Sequence, residues 1–158
     1  MSGLEIERKY LICPGSTAYR AEAFACRHIL QGYIPAEGAT VRVRMVDQEA
    51  FLTIKSHSED GGLSRYEFEH AITGDEARHL LGLCKGGFID KDRYLIRLGK
   101  HLLEVDEFHG RNEGLVVAEV EYDTLDESVK LPDFIGKEVT FDRRYSNASL
   151  LLHPYCEW

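Results

Sequence analysis

The sequence predicts an α+β protein dominated by an antiparallel β-sheet of about eight strands. Six separate stretches carry charged residues at every second position with mostly apolar residues between them, which is the side-chain period of a β-strand. Short turn signals such as Gly99-Lys100 separate the candidate strands, and this spacing favours hairpins over parallel crossovers. The candidate strands are residues 4–12, 26–35, 39–47, 50–57, 63–72, 88–98, 101–109 and 114–122.

A few helices are expected to flank the sheet. The clearest has apolar residues at helical spacing, Thr73 or Asp75 as its N-cap, and Gly86-Gly87 as a stop signal. A short turn is expected over residues 132–136, beginning at Pro132. The three helices are predicted at residues 15–24, 75–84 and 145–152.

Length and composition indicate one globular domain over residues 1–158. Hydrophobic residues make up 44% of the chain and charged residues 29%, and no apolar run approaches the ~20 residues that span a bilayer. The N-terminus shows no secretory pattern, and the four cysteines form no Cys-x-x-Cys pair. We therefore expect a cytoplasmic protein with no membrane partner.

The formal net charge of −8 argues against a general nucleic-acid binder, which would carry a basic surface. It remains compatible with a phosphate ligand, because cations at alternating strand positions can form a local basic site.

Paired carboxylates are the first candidate site. Glu5 and Glu7 lie two apart on one strand, with β-carbons about 7 Å apart, so that both can reach one hard cation. Glu119 and Glu121 repeat this spacing, and Asp106 lies on the preceding strand. Together they form an oxygen donor set suited to Mg²⁺ or Mn²⁺. The alternative is an amphipathic edge strand with solvated charges.

Cations also recur on several strands. Arg42, Arg44 and Lys55 flank a tight turn, and Lys91 and Arg93 share a later strand. Guanidinium groups present forked donors that match phosphate oxygens, so such cations can hold several phosphoryl groups in a row. The alternative for each residue is a surface charge or a cross-strand ion pair. We interpret Arg65, with Glu67 and Glu69, mainly as an ion-pair network that orients the binding cations.

The pattern alone leaves two architectures open. If the sheet closes with its charged faces inward, it encloses a polar tunnel. If it stays open, the charged faces lie in water and helices cover the apolar side.

The chain resembles the CYTH domain family, the triphosphate tunnel metalloenzymes. Its start, Glu5-Ile6-Glu7-Arg8-Lys9, resembles the family signature Glu-x-Glu-x-Lys, and the similarity continues in order over nearly the whole chain. Further matching segments are Val41 to Arg44, Leu52 to Lys55, Gly62 to Glu69, Lys91 to Tyr94, Glu104 to Phe108, Ala118 to Glu121, Lys137 to Thr140 and Arg144 to Asn147.

This resemblance implies an eight-stranded antiparallel β-barrel around a charged tunnel, and Mg²⁺- or Mn²⁺-dependent hydrolysis of a triphosphate. The expected substrate is inorganic triphosphate, cleaved to pyrophosphate and phosphate. The implied metal ligands are Glu5, Glu7, Asp106, Glu119 and Glu121. The expected substrate-binding residues are Lys9, Arg42, Arg44, Lys55, Arg65 and Arg93. We assign catalytic roles to Lys91, Glu5 and Glu7, with Lys91 orienting water or holding the leaving group.

Several alternatives stay open. The chain could be a class IV-type adenylate cyclase, a hydrolase of nucleoside or other organic triphosphates, or a module that binds polyphosphate without turnover. The only tryptophan is Trp158, so the chain lacks the early tryptophan with which thiamine-binding members hold their ligand. It also lacks the His-Phe start that is frequent among the cyclases. The expected partner is a small-molecule triphosphate, with a homodimer left open.

Overall fold

The computed structural model describes residues 6–57 and 66–158. Within them the strands are β1 (Ile6–Ile12), β2 (Ala25–Ile34), β3 (Ala39–Val46), β4 (Glu49–Ser56), β5 (Glu67–Ile72), β6 (Ile89–Leu98), β7 (His101–Phe108), β8 (Val116–Tyr122) and β9 (Ile135–Glu138). The α-helices are α1 (Ala18–Glu22), α2 (Gly74–Leu81) and α3 (Asn147–Leu152). The observed strand pairings are antiparallel, which confirms the predicted α+β class.

The described residues form nine strands, one more than the eight predicted. The turn expected over residues 132–136 does begin at Pro132, whose carbonyl accepts a 3.1 Å hydrogen bond from the Ile135 N–H, but from Ile135 the chain forms the short strand β9, which pairs with β1. The approach is close at Gly136, where an added β-carbon would lie 3.2 Å from the carbonyl oxygen of Leu11. A four-residue strand with a central glycine is too short to show the period-two pattern.

The described residues contain three α-helices near the predicted positions, each shorter than expected. Thr73 caps α2 as expected, through a reciprocal capping box with Glu76. The helix ends at Leu81, and Gly86 and Gly87 take left-handed φ angles of 83° and 87° in the connection that follows. The first helix covers only Ala18–Glu22 of the expected residues 15–24. The last is divided into a 3₁₀ turn, Arg143–Tyr145, and α3.

The chain forms two compact units. The first unit is His28–Asp90, and the second combines Ile6–Arg27 with Lys91–Trp158. That they act as one domain over residues 1–158 stays a prediction. In the described parts of the chain, no helix is both long enough and apolar enough to cross a bilayer.

In the first unit, the strands follow the order β5-β4-β3-β2. One face of this sheet packs on α2, which buries Ala77 and Leu81 against Val43 and Ala50. The hairpin between β3 and β4 turns at Asp47, whose φ angle is 52°. The turn fixes the register of β3 and β4. The residues that alternate with Val43 and Ala50 along these strands therefore lie on the face of the sheet away from α2.

In the second unit, the order is β6-β7-β8-β1-β9. Leu98 pairs with His101 across Gly99-Lys100, which confirms the predicted two-residue hairpin loop. One face of the sheet carries a buried apolar cluster that includes Leu103, Val105, Ala118 and Val120. Since side chains alternate along each strand, the residues between these point to the opposite face. That opposite face is the charged one.

Candidate active site

The second unit gathers most of the predicted site residues on one face of its sheet. Across β1 and β8, Glu7 lies opposite Glu121, and Lys9 lies opposite Glu119. Across β7 and β8, Glu104 lies opposite the same Glu119. Directly opposed residues in an antiparallel pair point to one side of the sheet. We call this surface the acidic face, and its residues are Glu7, Lys9, Lys91, Arg93, Glu104, Asp106, Glu119 and Glu121.

Asp106 is the most buried carboxylate of the acidic face, with 3% of its side chain exposed. Its Oδ2 accepts hydrogen bonds from Lys91 Nζ at 2.7 Å and Arg93 Nη2 at 2.9 Å, and its Oδ1 accepts one from Arg93 Nε at 2.7 Å. Both carboxylate oxygens are therefore engaged by cations. These contacts support a role for Asp106 in positioning Lys91 and Arg93, and its predicted role as a metal ligand stays a prediction.

The ionisation of this cluster follows from burial and charge together. Burial alone would raise the pKa of Asp106, but the adjacent Arg93 and Lys91 outweigh it and hold that pKa well below its ordinary value. Burial would lower the pKa of Arg93, yet the carboxylates of Asp106 and Glu104 raise it. Burial raises the pKa of Glu104, and Arg93 only partly opposes this shift. Asp106 and Arg93 are thus a charged pair at neutral pH.

Lys91 is fully buried, although it was predicted to act on water or the leaving group. Its ammonium contacts Asp106, donates to Asn147 Oδ1 at 3.0 Å, and lies 5.4 Å from the ring centre of Phe108. These contacts support a positioning role, and direct participation in catalysis stays a prediction. Asn147 was missed as a site residue, because it reaches Lys91 only through the packing of α3.

Glu104 was also missed as a site residue. It forms an ion pair with Arg93 and faces Glu119 across the strands. The sequence shows that Glu104 and Asp106 lie on the same side of β7. Only the register between β7 and β8 shows that Glu104, and not Asp106, lies opposite Glu119.

The acidic face fits a hard divalent cation. Glutamates lie directly opposite one another at Glu7 with Glu121 and at Glu104 with Glu119, an arrangement that neighbouring cations must offset, as Arg93 does at Glu104. Lys9 supplies one positive charge, 3.5 Å from Glu119 and 3.8 Å from Glu7. The donors that remain are carboxylate oxygens, the ligands preferred by Mg²⁺ and Mn²⁺.

The first unit presents a cationic face on the side of its sheet away from α2. Arg44 lies opposite Gln31, and Arg42 lies opposite Tyr33 and Thr53. Glu67 and Glu69 pair with cations of this face, with Lys55 3.8 Å from Glu67 and Arg42 3.7 Å from Glu69. The predicted network of Arg65 with these glutamates stays a prediction, because Arg65 lies outside the described residues. The cationic face therefore consists of Gln31, Tyr33, Arg42, Arg44, Thr53, Lys55, Glu67 and Glu69.

Buried polar side chains hold these arginines in place. Gln31 is completely buried, accepts a 2.9 Å hydrogen bond from Arg44 Nε, and donates to the Tyr33 hydroxyl at 2.9 Å. Thr53 accepts from Arg42 Nη2 at 3.2 Å and donates to Glu69 at 2.9 Å. Among the described side chains, Arg42 Nε is the one buried polar atom that lacks a hydrogen-bond partner. A buried donor of this kind suits an anionic ligand.

Two predicted site residues, Glu5 and Arg65, lie outside the described residues. The others fall on the two faces. Glu7, Lys9, Lys91, Arg93, Asp106, Glu119 and Glu121 lie on the acidic face, and Arg42, Arg44 and Lys55 lie on the cationic face.

Comparison with known proteins identifies the family. Residues 3–151 match the CYTH domain. The chain belongs to the CYTH family. This confirms the resemblance found in the sequence, and with it the predicted fold class.

The CYTH relatives include named enzymes of nearly the same length. An inorganic triphosphatase of Acetivibrio thermocellus is 41% identical over 155 residues, covering 97% of this chain and 96% of that protein. An inorganic triphosphatase of Nitrosomonas europaea is 36% identical over 153 residues, covering 94% and 97%. A crystal structure of an inorganic triphosphatase aligns with a TM-score of 0.66 and 30% identity over 94% of both chains.

Replacing Asp106 with Asn tests the buried network. The change leaves Lys91 and Arg93 without their shared buried anion, so the free energy of unfolding should fall by about 3–5 kcal/mol. Asp90→Asn is the matched control, because Asp90 forms an exposed pair with His28 and should cost at most about 1 kcal/mol. Urea unfolding at neutral pH measures both. Equal losses in the two variants would contradict a structural role for Asp106.

Proposed function

We propose that this CYTH protein hydrolyses inorganic triphosphate to pyrophosphate and phosphate with Mg²⁺ or Mn²⁺. The observation that carries the proposal is the acidic face, where directly opposed glutamates lie on one side of the sheet together with Lys9 and Arg93. The similarity to inorganic triphosphatases at 41% and 36% identity supports the same substrate. The cytoplasmic location, the lack of a nucleic-acid partner and a homodimer stay predictions.

Triphosphates resist hydrolysis because their negative charge repels nucleophiles, so the site must neutralise charge and align water. We propose that Glu7, Glu119 and Glu121, with Glu5, hold the cation. When bound, a divalent cation supplies Lewis-acid activation of phosphoryl oxygens and of water. Lys9 and Arg93 donate to phosphate oxygens beside it. Arg93 is held for this contact by its two hydrogen bonds to Asp106.

On the cationic face, we propose that Arg42, Arg44 and Lys55 also bind phosphate oxygens. Gln31 fixes the Arg44 guanidinium, and Thr53 fixes that of Arg42, so both arginines are ordered before the ligand arrives. Ordering in advance reduces the entropy lost on binding. Arg42 Nε is a donor available for a phosphate oxygen.

Product analysis tests the reaction. With Mg²⁺ present, inorganic triphosphate should yield equimolar phosphate and pyrophosphate, with a higher kcat/KM than ATP and no cyclic nucleotide from ATP. A chelator should abolish turnover, and added Mg²⁺ or Mn²⁺ should restore it. Ion chromatography and nucleotide analysis measure the products. Cyclic AMP as the main product from ATP would favour the cyclase, and tight binding without phosphate release would favour a binding module.

Glu121→Gln tests the carboxylate site. Removing one charged ligand should lower kcat at low Mg²⁺ by about two orders of magnitude, with partial recovery at high Mg²⁺. Glu113→Gln is the matched control, since Glu113 is an exposed glutamate with 73% of its side chain accessible. Rates measured across a Mg²⁺ titration separate metal affinity from turnover. A normal rate for Glu121→Gln at low Mg²⁺ would remove Glu121 from the proposed site.

Arg42→Ala tests phosphate binding by the cationic face. A charge-assisted hydrogen bond contributes about 1.5–3 kcal/mol, so triphosphate affinity should fall roughly ten- to hundredfold. Arg78→Ala is the control, because Arg78 carries the same charge on the exposed surface of α2. Calorimetric titration and thermal melting, run together, distinguish the outcomes. Lower stability with unchanged affinity would assign Arg42 to an ion pair alone.

A further inference from the structure

A second cluster of possible metal ligands lies outside the acidic face. It joins the first residue of β7, His101, to Asp123 and Glu127 in the segment after β8. One ligand atom from each lies within 4.8 Å of the other two. None of the three was predicted as a site residue.

The His101 ring is oriented with Nδ1 toward a backbone carbonyl and Nε2 toward Glu127. Its Nδ1 lies 3.1 Å from the backbone carbonyl oxygen of Glu121, which can only accept, so Nδ1 carries the hydrogen. Nε2 then faces Glu127 Oε1 at 2.7 Å. A lone pair and a carboxylate oxygen cannot approach so closely unless a proton or a metal lies between them. Histidines that bind metals commonly donate their other N–H to a backbone carbonyl in this way.

Glu127 is charged and is held near His101 by hydrogen bonds. Its Oε2 accepts a 2.8 Å hydrogen bond from the backbone N–H of Asp123. The hydrogen bond from Lys100, followed by that from the Asp123 backbone, lowers the pKa of Glu127 to about 2. Its side chain is only 14% exposed, and that of His101 is 9% exposed, whereas Asp123 is 69% exposed and can move toward an ion.

Lys100 competes with a metal at this cluster. Its ammonium lies 2.7 Å from Asp123 Oδ2 and 2.9 Å from Glu127 Oε1, so it already neutralises part of the negative charge. The Lys100 side chain is 66% exposed on the β6–β7 turn and can swing into solvent. A divalent ion would replace one positive charge with two.

We propose that His101, Asp123 and Glu127 form a binding site for a divalent cation of the Zn²⁺ class, distinct from the all-oxygen acidic face. Zn²⁺ commonly takes three protein ligands of this mixed nitrogen and oxygen kind and keeps a fourth position for water. Tetrahedral ligands at zinc bond lengths lie about 3.4 Å apart, which small shifts of the Asp123 and Glu127 side chains achieve. The bound ion links the start of β7 to the residues that follow β8.

Zn²⁺ binding in the presence of saturating Mg²⁺ tests the site separately from catalysis. Mg²⁺ occupies the oxygen ligands of the acidic face, while the imidazole selects Zn²⁺. Wild-type protein should bind Zn²⁺ with a shift of the His101 imidazole resonances in ¹⁵N NMR. His101→Gln should weaken Zn²⁺ binding by at least about 10- to 100-fold. Loss of even a residue that only hydrogen-bonds to a metal ligand has an effect of that size. His28→Gln is the matched control and should bind normally, since His28 pairs with Asp90.

Lys100→Gln supplies the decisive comparison, because it alters an exposed turn residue and should leave the fold intact. Removing the competing ammonium should strengthen Zn²⁺ binding. If the cluster were an ion-pair network that binds no metal, the same change would only remove the ion pairs of Lys100. Isothermal titration of the three variants gives the affinities. The proposal is overturned if wild-type protein binds no Zn²⁺, if His101→Gln binds as wild type does, or if Lys100→Gln binds no more tightly.

Discussion

The charged residues of this protein are held in place by the apolar residues beside them in the sequence. Leu103 and Val105 are fully buried, and they flank Glu104 on β7. Val120 and Ala118, also fully buried, flank Glu119 on β8 in the same way. Successive side chains of a strand point to opposite faces of the sheet. Burial of the apolar residues on one face therefore orients the charged residues on the other. Each charge is thus oriented by hydrophobic packing on the other face of the sheet.

Charge balance gives the two faces different characters. On the acidic face, glutamates oppose one another across strands, and Asp106 supplies the internal anion that orders Lys91 and Arg93. On the cationic face, neutral polar groups do much of the ordering, since Gln31 holds Arg44 and Thr53 holds Arg42. Thr53 in turn donates to Glu69, which lies 3.7 Å from Arg42, so a neutral and a charged partner together order Arg42.

The strand pattern was enough to predict the antiparallel sheet and the side of each strand on which the site residues lie. Alternation is local, so Glu119 and Glu121, or Arg42 and Arg44, could be assigned to one face from the sequence alone. The hydrogen-bond partners of the site residues could not be assigned in this way. Gln31 and Asn147 are single polar residues whose importance depends on the strand register and on the packing of α3. Strand β9 was missed because four residues are too few to establish a period.

The contact between Lys91 and Asn147 cannot form until Asn147 has been synthesised, because the chain is made from its N-terminus. Lys91 and Asp106 leave the ribosome well before Asn147, which lies 56 residues after Lys91. Until α3 emerges, the ammonium of Lys91 can donate to Asp106 but not to the amide oxygen of Asn147. The charged cluster of the second unit therefore reaches its final set of hydrogen bonds only after α3 has been synthesised.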